Sequence, residues 1–417
     1  MQVGAAPRPL AVYIVGAGIG GLTAAVALRR AGHNVTVLER SRLACEVGAA
    51  INVPPNAMAV LCPLGVNPTS HGAVVLQTVT EYGKSGELVH AHDVSFLSEE
   101  STHPFLLCHR VDLHSQLKAA ATSPRGLGKP VELRTSSPVA DVDADRALVT
   151  LRDGTSFRGD LVVGADGIHS KTRCKVAATK PFPSGKSAHR FMLDRAQVDE
   201  VPGLGELFKP GDLTFWADVD RRVIVYPARD GRLLNVVCIH PDDPDRWDGD
   251  GAAGRETWNE SSTRAGLLSL YAGFDERALA LMGLADESTL RVWRLMDMDA
   301  LPAWHVGRLC LLGDAAHPFL PHQGQGAAQA IEDAAALEIV LPFGVDEAEV
   351  PARLALYQRC RQQRADAVQR LTRLSGEDMQ SGQADVTTKA VGFFRLNCEY
   401  NERHNSTDIL RHWMMRE

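Results

Sequence analysis

Gly16, Gly18 and Gly21 stand in the stretch "YIVGAGIGGL" (13–22), spaced as Gly-x-Gly-x-x-Gly behind an apolar run and ahead of a helical pattern. In that context Gly16 permits a tight turn, Gly18 lets the backbone approach a pyrophosphate, and Gly21 lets helix and strand pack closely. The start of the helix then offers unpaired N–H groups and a partial positive charge to the phosphates. Glu39 ends the next apolar strand roughly twenty residues on, where a carboxylate accepts hydrogen bonds from a ribose. Arg40 is counted with it in that site, and nothing in its type or position assigns it a separate role. These residues predict dinucleotide binding.

A second turn lies about 300 residues away, in "LCLLGDAAHPFLPHQGQGAAQAIEDA" (309–334). Asp314 ends an apolar strand, the edge at which open α/β sheets bind ligands, and its carboxylate can accept hydrogen bonds from a polyol chain. Gly324 and Gly326 open the helix "AAQAIEDAAALEIVL", which Pro342 ends. A helix start aimed at a ligand stabilises negative charge there. The two turns together suit a cofactor with a phosphate pair at one end and an anionic ring at the other, which describes FAD. A third strand–turn unit, "VVGADGIHSKTR" (162–173), carries Asp166, Ser170 and Arg173. Spacing alone leaves it open between a ligand contact and a strand cap with a solvated arginine.

The elements that must position these groups follow from periodicity. "LAVYIV" reads as a buried strand, Leu22–Arg30 as a helix stopped by Gly32, and "NVTVLER" as the next strand, the start of a parallel sheet. "PNAMAVLCPLG" and "RVDLHSQLKAAA" read as helices and "RGDLVVGADG" as a strand ending in a turn. "AVVLQTVTEY-GKSG-ELVHAHDV" reads as a hairpin, and "HRFMLD", "LTFWADV", "RVIVYPA" and "LLNVVCI" alternate as strands of an antiparallel sheet. The fold class is therefore α/β: a Rossmann-type domain interrupted by an antiparallel-sheet substrate domain, with C-terminal helices. Its boundaries are expected at 8–72, 105–178 and 285–370 for the FAD-binding parts, 73–104 and 179–284 for the substrate domain, and 371–417 for a C-terminal helical segment.

The chain's 417 residues allow two or more domains, and a net charge of −7 argues against nucleic acid and anionic membrane surfaces as main partners. Eight scattered cysteines form neither Cys-x-x-Cys nor a zinc-spaced cluster, so reduced thiols in a cytoplasmic protein, and no metal site, are expected. No run of ~18 apolar residues marks a membrane span.

In order along the chain, "GAGIGG", "GADGIHSKTR" and "GDAAHPFLPHQGQGAAQAIEDA" resemble the three motifs of the class A FAD-dependent aromatic monooxygenases, of the p-hydroxybenzoate and salicylate hydroxylase kind. "GAAINVPPNA", which contains Ala50, "CHRVDLHSQL" and "WRLMDMDALPAWHVGRLCLLGDAAHP" are also similar to segments of that family, so the likeness spans most of residues 10–370. The resemblance implies that Gly16, Gly18, Gly21 and Glu39 hold the ADP moiety, and that Arg110 reaches the FAD phosphate or ribityl region. Asp166 would lie near the FAD and nicotinamide path, and Asp314 would bind the ribityl hydroxyls. Gly324, Gly326 and Ala327 would contact the flavin ring, with Pro321 beside its face and Ala50 in the same cofactor site. It further implies NADH or NADPH as cosubstrate, molecular oxygen, a flavin C4a-hydroperoxide and a small aromatic, phenolic or hydroxybenzoate-like substrate, with oxidative decarboxylation where a carboxylate adjoins the attacked carbon. A monomer or homodimer is expected.

Substrate activation falls to three candidates. His322 follows Pro321 on the turn expected against the flavin; an imidazole with a pKa near neutrality would take a phenolic proton or bind a phenolate, the alternative being a histidine that packs or bonds the loop. Tyr226 and Arg190 lie on strands that would roof the pocket, where each binds a substrate hydroxyl or carboxylate or else serves the core edge or a salt bridge. His317 is read as shaping its turn. Other readings differ in chemistry. An epoxidase or dearomatising tailoring enzyme would use the same scaffold, a flavin-dependent halogenase would need a Trp-x-Trp-x-Ile-Pro stretch that is absent, and a non-catalytic FAD binder would share every binding motif. The C-terminal stretch after about 380 resembles the family little.

Overall fold

Five parallel strands form the sheet beneath both glycine turns, in the order Leu309–Leu311, Leu161–Gly164, Ala11–Val15, Asn34–Leu38 and Glu132–Arg134, with His305–Val306 antiparallel at one edge. The computed structural model describes residues 7–43, 49–99, 101–243, 260–381, 392 and 395–416. Helices Ile19–Arg30 and Gly326–Val340 pack on one face of the sheet around Leu22, Ile331 and Leu337. Their approach is close: a Cβ on Gly20 would lie 2.6 Å from Leu312 Cδ2 and 2.9 Å from Ala330 Cβ. This contact also explains why the first helix begins at Ile19 rather than at the expected Leu22. Gly20 and Gly21 weaken helix propensity but are the residues that fit there.

The opposite face is covered by a three-stranded meander, Val139–Asp143, Leu148–Leu151 and Ser156–Arg158, packed on Val15, Leu38 and Val162. Its strands carry little sequence signal, because they are short and polar residues interrupt each of them.

The second domain is an eight-stranded sheet. Its strands run Glu260–Ser261, Arg291–Asp297, Phe182–Asp194, Leu233–Pro241, Arg222–Ala228, Asp212–Ala217, Thr78–Gly83 and Leu88–Asp93. All neighbours are antiparallel except Asp212–Ala217 against Thr78–Gly83. The expected hairpin supplies its far edge. One boundary needs correction. Arg291–Asp297 was assigned to the returning FAD-binding part at 285, yet it pairs with Phe182–Asp194, so the chain leaves the substrate sheet only after Asp297. It pairs there with Phe182–Asp194 although it follows two helices, Arg264–Leu270 and Glu276–Gly283.

A small sheet of Ala50–Val53, Leu106–His109 and Val74–Val75 joins the two domains. The long helix Val350–Ser381 runs through the boundary expected at 370, and Glu402–Met414 returns against Gly326–Val340. No helix among the described residues is long and apolar enough to cross a membrane.

Candidate active site

The Gly-rich turn is held from three sides. Gly16 has φ +105°, and a Cβ there would lie 2.4 Å from the Ala165 carbonyl oxygen. A Cβ on Gly21 would fall 2.1 Å from the Gly16 carbonyl oxygen, whereas one on Gly18 would meet nothing within 4 Å. Gly18 is thus the point at which backbone is open to the cleft, and its neighbours make the turn tight. Glu39 accepts the Ala17 N–H at 2.8 Å and the Ser41 N–H at 2.7 Å, tying the turn to the end of the second strand. Arg40 is exposed beside it, at the surface.

At the other end of the cleft, Gly313 (φ +62°) turns the chain so that Asp314 projects into the opening. The surrounding protein pushes its carboxyl up, against the pull of His317, Arg110 and Arg173. Arg110 opens the helix Arg110–Thr122, its N–H bonded to the Ala49 carbonyl at 2.8 Å. Gly324 (φ +63°) lies where a Cβ would meet Asn52 Nδ2 at 2.5 Å, and Gly326 starts the helix Gly326–Val340 with no acidic residue in its first turn. Backbone N–H groups therefore face the cleft at both ends, with a carboxylate available to polyol hydroxyls between them. These features fit FAD, which Gly18 would hold at its phosphates, Asp314 at its ribityl hydroxyls, and Gly324, Gly326, Ala327 and Ala50 at its ring end.

Asp166 lies beside the Gly-rich turn, and its carboxylate is engaged within its own loop. Its carboxylate accepts Ser170 Oγ and Thr172 Oγ1, both at 2.6 Å, and the N–H groups of Lys171 and Thr172 at 2.8 and 3.1 Å. Both oxygens are spent on closing its own loop, which is the cap alternative. Arg173, however, is buried, and it donates to the Ile168 and Ala315 carbonyls at 2.7 and 3.3 Å, so it locks the second turn to the third. His317 shapes its turn as read: Nε2 lies 2.7 Å from Asp333 Oδ2 and the ring packs on Trp304.

One cavity of about 590 Å³ joins this cleft to the face of the eight-stranded sheet, and Arg190, Tyr226 and His322 all line it, as do Ala50, Arg110, Asp314 and Pro321. Register explains the grouping. Arg222, Ile224 and Tyr226 alternate on one strand; Ile224 pairs with Phe215 and Val237, and Val237 pairs with Arg190. The cavity wall is thus largely apolar, with Tyr226 and Arg190 toward one end and Arg222 toward the other. Burial pushes the Tyr226 hydroxyl up to about 12, against the pull of Arg190. The Nε atoms of Arg190 and Arg222 are buried without a hydrogen-bond partner among the described residues.

The His322 expectation needs correction. Burial, with Arg222 and Lys186 nearby, lowers its pKa to about 4, so the imidazole is neutral at physiological pH and a weak base. Sequence reading also missed Arg222, Glu81 and His92 on the sheet face and Asn52, Gln323, Ser375 and Asn397 on the facing walls. Arg222 was legible, since it stands two alternations before Tyr226 on the same strand. Ser375 and Asn397 carried no motif signal.

Beneath the ring end lies a buried ion cluster. Arg361 donates to Glu332 (2.7 Å), Asp333 (2.8 Å) and Glu402 (2.6 Å), and Arg364 also reaches Glu332, at 3.0 Å. Three helices converge on it, so the helix whose start faces the ring is anchored to the C-terminal helix.

A family model described as an FAD binding domain matches residues 9–372. Hispidin-3-hydroxylase of Neonothopanus nambi is 35% identical over 375 residues, 86% of each chain. The 3-amino-4-hydroxybenzoate 2-monooxygenase PtmB3 of Streptomyces platensis is 32% identical over 374 residues, 88% of each. CtdE, solved with FAD and a substrate, superposes with a TM-score of 0.83 at 24% identity over 98% of this chain and 100% of that one. A salicylate hydroxylase substrate complex does so with 0.77 at 23%, over 95% and 97%. The chain belongs to the class A FAD-dependent aromatic monooxygenases. It is a flavoenzyme of the aromatic-hydroxylating or tailoring kind.

Proposed function

We propose that this enzyme uses NADH or NADPH and molecular oxygen to hydroxylate an electron-rich aromatic whose reacting ring carries a phenol or enol. The observation that supports this most is the shared cavity: the FAD cleft and the wall bearing Arg190 and Tyr226 open onto one space. Bound FAD would supply the redox chemistry, taking two electrons from the nicotinamide and activating oxygen for transfer of one atom to the ring.

The chain's own residues prepare the ring. Burial lowers the Arg190 pKa, but a guanidinium starts so far above neutrality that it keeps its charge. A guanidinium with an unpaired Nε favours the phenolate over the phenol, and a phenolate ring is the stronger nucleophile. Tyr226 stays protonated and donates a hydrogen bond to the same oxygen. Leu213, Phe215, Ile224, Val237 and Leu320 keep water away from the reacting atoms. Neutral His322 orients a substrate hydroxyl rather than removing its proton. Oxidative decarboxylation accompanies hydroxylation where the substrate carries a carboxylate on the attacked carbon. A cytoplasmic setting goes with nicotinamide use and with seven described cysteines all being free.

The test is NAD(P)H oxidation in air by the purified holoprotein, with and without a panel of phenols, hydroxybenzoates and hydroxyphenyl pyrones. Stimulated oxidation with an oxygenated product supports the reading. No flavin reduction by either nucleotide with any panel member would sink it and favour a non-catalytic FAD binder. Arg190→Met should lower kcat/KM on the order of a hundredfold while flavin content is kept.

A further inference from the structure

Part of the cavity wall facing the sheet comes from chain that follows the stretch matched by the family, residues 9–372. Ser375, on the long helix, and Asn397, in the short helical stretch 395–398, both line the cavity. Asn397 is buried, its own carbonyl accepts Arg364 Nη2 at 3.3 Å, and its Oδ1 is buried without a hydrogen-bond partner among the described residues.

Which end of the Asn397 amide is free follows from its neighbours. The Leu371 carbonyl can only accept, and it takes the Ser375 hydroxyl at 3.0 Å and Gln323 Nε2 at 3.3 Å. With its proton committed there, Ser375 Oγ accepts Gln323 Nε2 at 2.8 Å. The Gln323 NH2 group must therefore point at the helix and its Oε1 at Asn397, whose Nδ2 donates to it at 3.3 Å. Oδ1 is left as a bare acceptor. One backbone carbonyl sets the polarity of the relay, so rotating the Asn397 amide would place two oxygens face to face.

A buried acceptor left unpaired costs free energy, and a ligand donor removes that cost. Resting on the reading of this cavity as an aromatic-hydroxylase site, we infer that Asn397 is a specificity-determining residue. Its Oδ1 accepts a hydrogen bond from a second hydroxyl or amino group of the substrate, held fast by Gln323 and Ser375. On the sheet wall Arg190 and Arg222 present only donors, with Glu81 the acceptor near Arg222, so the end at Arg190 and Tyr226 offers the opposite polarity. The enzyme therefore takes aromatics with an oxyanion-forming group on one side and a free donor on the other, and rejects those whose donor is masked by a methyl group.

The test uses paired probes on the holoprotein: 3,4-dihydroxycinnamate against 4-hydroxy-3-methoxycinnamate, and 3,4-dihydroxybenzoate against 4-hydroxy-3-methoxybenzoate. Binding is read from the perturbation of flavin absorbance, and turnover from NAD(P)H oxidation. Wild-type protein should prefer the free hydroxyl about tenfold in at least one pair, and Asn397→Leu should bring that ratio near one without changing flavin affinity. Asn397→Ala gives a second variant if the leucine does not yield holoprotein. Equal binding of both members of each pair by wild-type protein overturns the inference with no variant needed. So does a tenfold loss of flavin affinity in Asn397→Leu with the ratio unchanged, which would mean that the acceptor serves a cofactor N–H. Stimulated oxidation without any preference sinks this inference alone; a flavin that no nucleotide reduces sinks the functional reading beneath it.

Discussion

His317 Nε2 and Asp333 Oδ2 lie 2.7 Å apart, and the same carboxylate oxygen accepts the Gly313 N–H at 2.9 Å. Asp333 thereby ties the turn that aims Asp314 to the helix whose start faces the ring site, while Arg361 Nε takes its other oxygen at 2.8 Å. Removing the imidazole leaves a fully buried carboxylate one partner short, a cost of about 1–3 kcal/mol. His317→Leu should lower the melting temperature by a few degrees and weaken FAD retention on the order of tenfold, whereas His317→Gln, which can still donate, should lose less. Flavin fluorescence released on dilution measures it. Retention equal to wild type would mean the turn holds itself.

A similar argument applies at the phosphate end. Gly16→Ala places a methyl 2.4 Å from the Ala165 carbonyl oxygen on a backbone with φ +105°. Strain and clash both fall on backbone, so no side chain can move aside. The variant should purify without flavin, and added FAD should not restore its yellow colour. Gly18→Ala would meet nothing within 4 Å of its new methyl in the protein itself. It should therefore fold with near-wild-type stability and still bind FAD worse, because the methyl occupies the approach to the phosphates. Equal stability losses in the two variants would refute this division of roles.

These glycines, the strand–helix–strand unit and the alternating strands were legible because each depends on local periodicity or on a turn only glycine permits. What escaped depends on residues distant in sequence. Arg361 is 41 positions from Glu402, and nothing local in "YQRCRQQR" distinguishes it from a solvated helical arginine. Asp166 had the right neighbours, but only the folded loop shows its oxygens consumed by Ser170, Lys171 and Thr172. The boundary at 285 failed because Arg291–Asp297 reaches its sheet partner across about 100 residues of chain. His322 lines the cavity, and its lowered pKa was not legible, since burial and the nearness of Arg222 belong to the tertiary structure.

The buried cluster makes a stability prediction with an internal control. Arg361 is wholly enclosed and serves Glu332, Asp333 and Glu402 together. Arg361→Met leaves three carboxylates short of their shared cation, and breaking such a group costs about 3–5 kcal/mol or more. Arg364 also contacts Glu332 but stacks on Tyr400 with its guanidinium 3.7 Å from the ring centre, and it retains some access to water. Arg364→Met should cost clearly less. Denaturant unfolding of both holoproteins tests the order, and an Arg361 variant no weaker than the Arg364 variant would show that the carboxylates protonate without penalty.

His322 gives the pH prediction. Its folded pKa is about 4 against an ordinary value of 6.5, chiefly because burial disfavours the imidazolium, with Arg222 and Lys186 adding repulsion. Between those values the unfolded chain binds a proton that the folded chain refuses, so stability falls as pH drops from 6.5 toward 4 and is unaffected by this group above 6.5. Other groups titrate in the same window, and the comparison with His322→Asn removes them. The melting temperature of wild-type protein should fall further than that of the variant between pH 7.5 and 4.5, with the two tracking each other above pH 7. The same neutrality has a kinetic consequence: an inflection of kcat/KM near 6.5 that vanishes in His322→Asn would identify a titrating base at this position. Its absence, together with the divergent melting curves, would leave phenolate formation to Arg190 and Tyr226.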